Sequence, residues 1–433
     1  MDWRKIQNDL ALAMGSQLLQ KLTGLVVIMV LARHFDKAVM GRFFLAGALA
    51  TLLAMATELG VNRHLMRQAA QHADDALAAL GQVLALRLPL MLAGYAAMAL
   101  VVFLIEPELT VPVLLTSLYV LLQDYYYSFS SLMLGLRRVG MRLVSMLIGQ
   151  VLTVALVILA VAMGAGLTLV LVAYVVANFA MVLLTAALVR QRIGPFSLHW
   201  NRPAFGRILR EALPFFLLGV LGTIHFKVDS LMLGLLRGYE QVATYEAAYK
   251  FLEVSRFIVR PAAMIFFPLC SEMAARGDWA TYRLVLRRLV NTTGALGLAM
   301  AGGVLLAAGW LVTLVFGPAY GESEAVLRIL FLAVPMVFFG FVAGFVAPSL
   351  NLERRAVSAT GACLLLNVAL NLLMIPSLGA RGAAWATLVS ETILAAWLFA
   401  MIAARLGALR HLPAHAPAAA GPVLPNSEGG RRA

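Results

Sequence analysis

Five charged side chains share one face of a single apolar stretch. At about 100° per residue, Glu246, Lys250, Glu253, Arg256 and Arg260 fall within an arc of about 120° of a helix. Over a rise of about 1.5 Å per residue the stripe runs roughly 21 Å along the axis, most of the depth of a hydrocarbon core roughly 30 Å thick. A charge in lipid costs several kcal/mol unless it meets protein or water. One reading is self-satisfied packing, with Glu246 paired to Lys250 and Glu253 to Arg256. The other is the wall of a water-filled cavity, and it is favoured because pairing leaves Arg260 unmatched.

Other apolar stretches carry polar faces too. Gln17, Gln20, Lys21 and Gly24 align on one helix face, and Asp124, Tyr127, Ser128 and Ser131 on another. Both fit either an interhelical hydrogen-bond cluster or a cavity wall. His225 and Asp229 are an i,i+4 pair, whereas Lys227 points about 160° away from Asp229, so the three cannot line one narrow surface. Arg42, Arg87 and Arg328 sit near the ends of apolar runs, where snorkelling to the interface is expected. Prolines 89, 214, 261 and 335 are local helix breaks. The candidate cavity cations are therefore Lys21, Lys227, Lys250, Arg256 and Arg260, and the candidate ion-coupling carboxylates are Asp124, Asp229, Glu246 and Glu253.

Signatures of soluble catalysis are missing. There is no phosphate-cradling GxxxxGK[ST] and no HExxH. The seven histidines are scattered, and no metal cluster or cofactor is expected. An ATP-driven pump or an enzyme is disfavoured. Cys270 and Cys363 lie in or beside apolar runs and read as packing residues, not a disulfide framework.

The elements that must position these groups follow from composition. The chain has 433 residues, 62% hydrophobic and 13% charged, against roughly 45–50% and about 25% in soluble domains. Twelve apolar runs read as spans near 10–32, 39–59, 82–105, 110–135, 143–164, 167–189, 212–236, 241–268, 289–315, 324–348, 356–376 and 381–404. The first of them starts after a short basic segment and carries Gln17, Gln20 and Lys21, so it is expected to stay as a span and not be cleaved as a signal. Connections on the side of the N-terminus hold 22 Lys and Arg, and those on the other side hold 4. This bias places both termini in the cytoplasm. The net charge of +13 thus encodes orientation and contact with anionic lipid heads, not a nucleic-acid partner.

The fold class expected is an all-α polytopic membrane protein of about twelve helices in two six-helix bundles, related by a pseudo-twofold axis along the membrane normal. The halves are 1–190 and 212–404, joined by a cytoplasmic linker at 191–211, with a disordered cytoplasmic tail at 405–433. The stretch from Ser271 to Arg288 mixes Trp279, Tyr282 and leucines with arginines, as an amphipathic interfacial helix would.

One run carries a resemblance. Asn367, Asn371, Ile375, Pro376, Gly379, Gly382, Ala383, Ala384, Ala386 and Thr387 resemble the N-x-x-L-N-x-x-x-I-P-x-x-G-x-x-G-A-A-x-A-T signature of polysaccharide flippases, within the multidrug/oligosaccharidyl-lipid/polysaccharide exporter superfamily. Fainter matches lie at Ala32 to Phe43, at Gly60-Val61, and at Asp229 to Gly234 followed by Val242 to Ala248, where Ala243 replaces the usual Gly. Pro376 would end a helix, Gly379 and Gly382 would permit a tight turn, and the alanines would let helices approach closely.

The resemblance implies alternating access in a bacterial inner membrane, with an undecaprenyl-diphosphate-linked oligosaccharide as substrate. It also implies membrane lipids, a glycan polymerase and export proteins as partners. The eight cations and six anions inside spans make a slightly cationic interior, which suits a diphosphate. A drug or cation antiporter of the same superfamily is the alternative, although it would use an acidic pocket. A membrane glycan polymerase would need a large outer loop that the spacing does not leave, and a lipid II flippase would carry two further C-terminal spans.

Overall fold

Each apolar run within the described residues folds as a helix, because in lipid every backbone N–H and C=O must be met within the chain itself. A computed structural model describes residues 3–201, 205–206 and 223–409, and within these it describes all side chains except those at 3–14, 16–18, 257, 260–265, 267 and 268. The helices are α1 (Trp3–His34), α2 (Lys37–Glu58), α3 (Val61–Gln71), α4 (Ala76–Ile105), α5 (Thr110–Gly135), α6 (Val139–Ala162), α7 (Leu167–Arg192), α8 (helical over 223–237), α9 (Tyr239–Arg276), α10 (Trp279–Phe316), α11 (Ser323–Val346), α12 (Glu353–Leu378) and α13 (Ala380–Ala408). No strand occurs among the described residues.

Eight of these, α2, α4, α6, α7 and α10 to α13, are long and apolar enough to cross a membrane. Their outward side chains are bare apolar groups such as Leu104, Leu306, Leu365 and Leu373, all more than two-thirds exposed, as lipid contact requires. The chain is a multi-pass membrane protein. The last 24 residues and, within the linker expected at 191–211, residues 202–204 and 207–211 lie outside the described residues, as do Pro214 and the side chain of Pro261.

Local chemistry sets the turns. Asp36 starts α2 by accepting a hydrogen bond from the Val39 amide at 2.8 Å. Gly379, at φ 55, separates α12 from α13, and the Gln241 side chain fills the space a Cβ would need there while accepting from the Ala380 amide at 2.8 Å. Gly382 lies against the Met374 carbonyl, 2.4 Å from where a Cβ would stand. Pro376 sits in the last turn of α12.

Two expectations are corrected. The stretch from Ser271 to Arg288 is not a separate interfacial helix but the end of α9 and the start of α10. Gly277 at φ 70 terminates one, and Asp278 accepts from the Thr281 amide at 3.1 Å to begin the next. Trp279 and Tyr282 are buried in a cluster with Cys270 and Leu350, so the aromatics serve packing. The 60–80 connection, in turn, contains a helix. Val61, Leu65 and Ala69 are its buried face, and Gly135 of α5 admits the Met66 carbonyl and Ala69 within 2.7 Å of where a Cβ would be. Eleven residues are too few to span a bilayer, which is why a search for spans passes over it.

Helices α1, α2 and α4 to α7 pack mainly on one another, while α9, α10 and α13 pack around α11 and α12 packs on α13. The principal joint between them is α2 on α9. There Gly41 presses so closely on the Tyr239 carbonyl that a Cβ would overlap it, at 1.9 Å.

Candidate functional site

Side chains of α1, α2, α5, α6, α7, α8 and α9 line a cavity of about 370 Å³. Its two walls differ in chemistry. On the α8 and α9 side, with Lys21 of α1, stand Lys227, Glu246, Lys250 and Glu253. The rest of the lining is uncharged, with the polar groups of Gln20, Thr51, Tyr119, Gln123, Tyr127, Gln150, Tyr174 and Asn178 among apolar side chains such as Ile28, Phe43, Phe44, Val154 and Met181.

The charges on the first wall form a lattice. Lys227 Nζ lies 3.5 Å from both Glu246 and Glu253, and Lys250 Nζ lies 3.6 Å from Glu246 and 2.9 Å from Glu253. Glu246 is fully buried and also accepts from the Ser230 hydroxyl at 2.5 Å. Two lysines thus neutralise two glutamates, and Lys21 adds a third cation beside them. Among its described lining residues the cavity carries one more positive than negative charge.

Asp229 faces the other way, into the packing of α8 on α12 and α13. Its carboxylate accepts from Tyr245 Oη at 2.6 Å, Thr387 Oγ1 at 2.8 Å and Asn371 Nδ2 at 2.6 Å. Asn371 Nδ2 also donates to Asn367 Oδ1 at 3.0 Å, and Asn367 Nδ2 donates to Ser390 Oγ at 3.2 Å. The two asparagines of the resemblance motif, one helical turn apart, are therefore the floor under Asp229. No lysine or arginine lies within salt-bridge distance of Asp229 among the described residues. Lys227 and Asp229 point to opposite sides of α8, as their angular spacing requires.

The cations of the α9 stripe separate in depth. Arg256 does not line the cavity: it donates to Glu391 at 3.2 Å and to Tyr249 Oη at 3.0 Å, and it stacks 4.2 Å above the Phe226 ring. His225 Nε2 approaches the same Glu391 oxygen at 3.3 Å. The side chain of Arg260 lies outside the described residues. Asp124 belongs to a distinct cluster between α3, α4 and α5. There it pairs with Arg87, which also donates to Asn62 Oδ1 at 3.1 Å, Ser128 Oγ at 2.7 Å and the Asp124 carbonyl at 3.0 Å. Arg87 is fully buried and does not snorkel. It lies 12 residues into a 30-residue helix, because α4 begins at Ala76, earlier than the apolar run suggests.

Sequence reasoning passed over Glu391, Tyr245 and Thr387 as partners, and the aromatic and amide wall altogether. A lone glutamate in an apolar span is a usable signal, since it must find a partner. Single tyrosines and glutamines give none.

At the end of the molecule that carries the α1–α2 turn, the two sets of helices are tied together. Arg33 donates to the Leu314 carbonyl, Lys37 meets Glu322 at 3.4 Å, and Tyr239 Oη donates to Glu106 at 2.8 Å. Arg42 bridges Glu108 at 3.3 Å and the Tyr239 ring at 5.3 Å.

Known proteins share this architecture. An inward-facing multidrug resistance MATE family transporter of the MOP superfamily superposes with a TM-score of 0.73 at 15% identity, over 90% of this chain and 95% of that one. An outward-facing structure of such a transporter gives 0.66 at 14%, over 94% and 96%. A MOP superfamily transporter from Pyrococcus furiosus, reported with a binding pocket of reversed polarity, gives 0.66 at 16%, also over 94% and 96%. In sequence, the probable low-salt glycan biosynthesis flippase Agl15 of Haloferax volcanii is 24% identical over 172 residues, which are 40% of this chain and 36% of that protein. The match thus spans about a third of the relative's length. Residues 7–274, more than half of the chain, match the family described as polysaccharide biosynthesis protein, and with this helix arrangement the chain belongs to that family as a membrane protein of the MOP transporter fold.

Proposed function

We propose that this chain is a flippase that carries the diphosphate-oligosaccharide head of an undecaprenyl lipid across a bacterial inner membrane for surface-polysaccharide assembly. The observation that carries the reading is the lysine-surplus cavity between helices of both halves. A diphosphate entering it exchanges Glu246 and Glu253 for its own oxygens as partners of Lys227, Lys250 and Lys21. The polyprenyl tail stays in lipid. No covalent bond is made or broken, and no cofactor is needed.

Residues 1–190 and 212–404 are the two moving units, with the linker and both termini in the cytoplasm. The tied end is then the extracytoplasmic one, and the state is inward-facing. The greater likeness to the inward-facing than to the outward-facing transporter supports this.

Asp229 is the ion-coupling carboxylate of choice. Glu246, Glu253 and Asp124 are each neutralised by a lysine or arginine, whereas among the described residues Asp229 meets only neutral donors, beside an Asn371 Oδ1 that is buried without a hydrogen-bond partner there. A proton or small hard cation is what such an oxygen-rich site accepts.

The test is translocation of a fluorescent undecaprenyl-diphosphate-linked oligosaccharide in proteoliposomes, alongside ethidium efflux. Lipid movement that falls at least tenfold in Lys227→Gln and Lys250→Gln supports the flippase. Ethidium efflux without lipid movement would establish the cation antiporter instead.

A further inference from the structure

We infer that the uncharged wall of the cavity is a glycan subsite, separate from the cationic wall, so that the sugars of the substrate lie on the first-half helices while its diphosphate lies on α8 and α9. This rests on the flippase reading and adds to it where in the cavity the sugars bind.

Four rings adjoin one another beside the charge lattice. Lys250 Nζ sits 5.9 Å from the centroid of Phe44, Phe44 is 5.6 Å from Phe43, Phe43 is 6.4 Å from Tyr174, and Tyr174 stacks on Tyr119 at 5.0 Å. All four line the cavity. Gln123 and Gln150, half-buried on the same wall, hydrogen-bond to no protein group among the described residues.

Such a wall is wrong for an anion, since it offers no charge, and wrong for a lipid tail, since it would strand two amides without partners. A sugar ring matches both features. Its C–H face packs on an aromatic ring, and its hydroxyls, each donor and acceptor, satisfy amides that are also donor and acceptor. Because the rings adjoin Lys250, sugars packed on them would follow directly on the phosphate. The subsite would therefore give preference for a glycosylated over a bare carrier lipid, which a flippase needs if it is not to cycle empty diphosphate.

The experiment compares binding of undecaprenyl diphosphate with that of undecaprenyl-diphosphate-linked neutral trisaccharide to the full chain in nanodiscs. Wild type is expected to favour the trisaccharide lipid by about tenfold or more, roughly the 1.4 kcal/mol of one decade. Tyr119→Ala and the double change Gln123→Ala/Gln150→Ala should each bring the ratio of the two affinities close to one, while Tyr119→Phe, which keeps the ring, should retain most of the preference. Lys250→Gln should lower both affinities and leave their ratio in place. If wild type shows no preference, or if the wall variants weaken both lipids equally, the glycan subsite is refuted and the flippase reading stands. If wild type binds neither lipid, both fall. Displacement of ethidium that depends on Tyr119, with no effect on the lipid ratio, would mark the wall as a site for planar cations and would also refute the proposal.

Discussion

Asn371 and Asp229 stand 142 positions apart in sequence and meet at 2.6 Å, amide nitrogen to carboxylate oxygen, in the interior of the α8, α12 and α13 packing. The other contacts of that carboxylate among the described residues, Tyr245 and Thr387, are neutral donors, so no cation among the described residues pairs with it. Asp229→Asn keeps one carbonyl acceptor and the side-chain volume but cannot exchange a charge. Transport should fall at least tenfold and lose its proton or sodium dependence at unchanged membrane abundance. Retained ion dependence in this variant would reduce Asp229 to a packing group.

Lys227 and Lys250 each touch both Glu246 and Glu253, so either lysine alone still gives both glutamates a cation. Neutralising one lysine should cost little stability. Neutralising both removes both of these lysine partners from each carboxylate, and the combined loss should exceed the sum of the single ones by about 0.5–3 kcal/mol. Thermal unfolding of the four proteins in one detergent measures this, and additivity would show that the lattice does not act as a unit.

Arg87 and Asp124 form a buried pair with two further side-chain partners for the guanidinium. Arg87→Ala leaves the carboxylate uncompensated and should destabilise by about 3–5 kcal/mol, whereas replacing both residues by leucine should recover much of that. Folded protein in the membrane fraction is the readout. An Arg87→Ala protein as abundant as wild type would contradict the assignment.

Gly41 has no room for a Cβ against the Tyr239 carbonyl. Gly41→Ala should therefore weaken the sealed end by about 1–3 kcal/mol and shift the protein toward the state open at that end. With Cys270 and Cys363 replaced, a cysteine at Thr51, which lines the cavity, should then react faster with an impermeant thiol reagent added from outside the cell. Unchanged labelling would mean that α2 and α9 do not form the gate.

Orientation is checked by reporter fusions in the turns between helices. Fusions ending at Arg138 and Gly277 should report cytoplasm, and those ending at Glu108 and Gly238 the opposite side, as the 22-to-4 distribution of loop cations requires. Any of the four on the wrong side would break the scheme.

Hydropathy alone determined that the chain is an all-helical membrane protein and where most helices lie, because a span must be long and apolar whatever it packs against. Angular spacing likewise determined that Glu246, Lys250 and Glu253 share a face and that Lys227 and Asp229 do not, since these relations hold within one helix. The motif at Asn367 to Thr387 marked the tight α12–α13 turn from its glycines. Tertiary structure decided the rest. Arg256 leaves the cavity for Glu391, 135 positions away, Arg87 turns inward to Asp124, 37 positions away, and Tyr119 finds Tyr174. A helix periodicity says which way a side chain points but not what stands opposite, because the partner comes from a helix whose position is set by packing across the whole membrane domain.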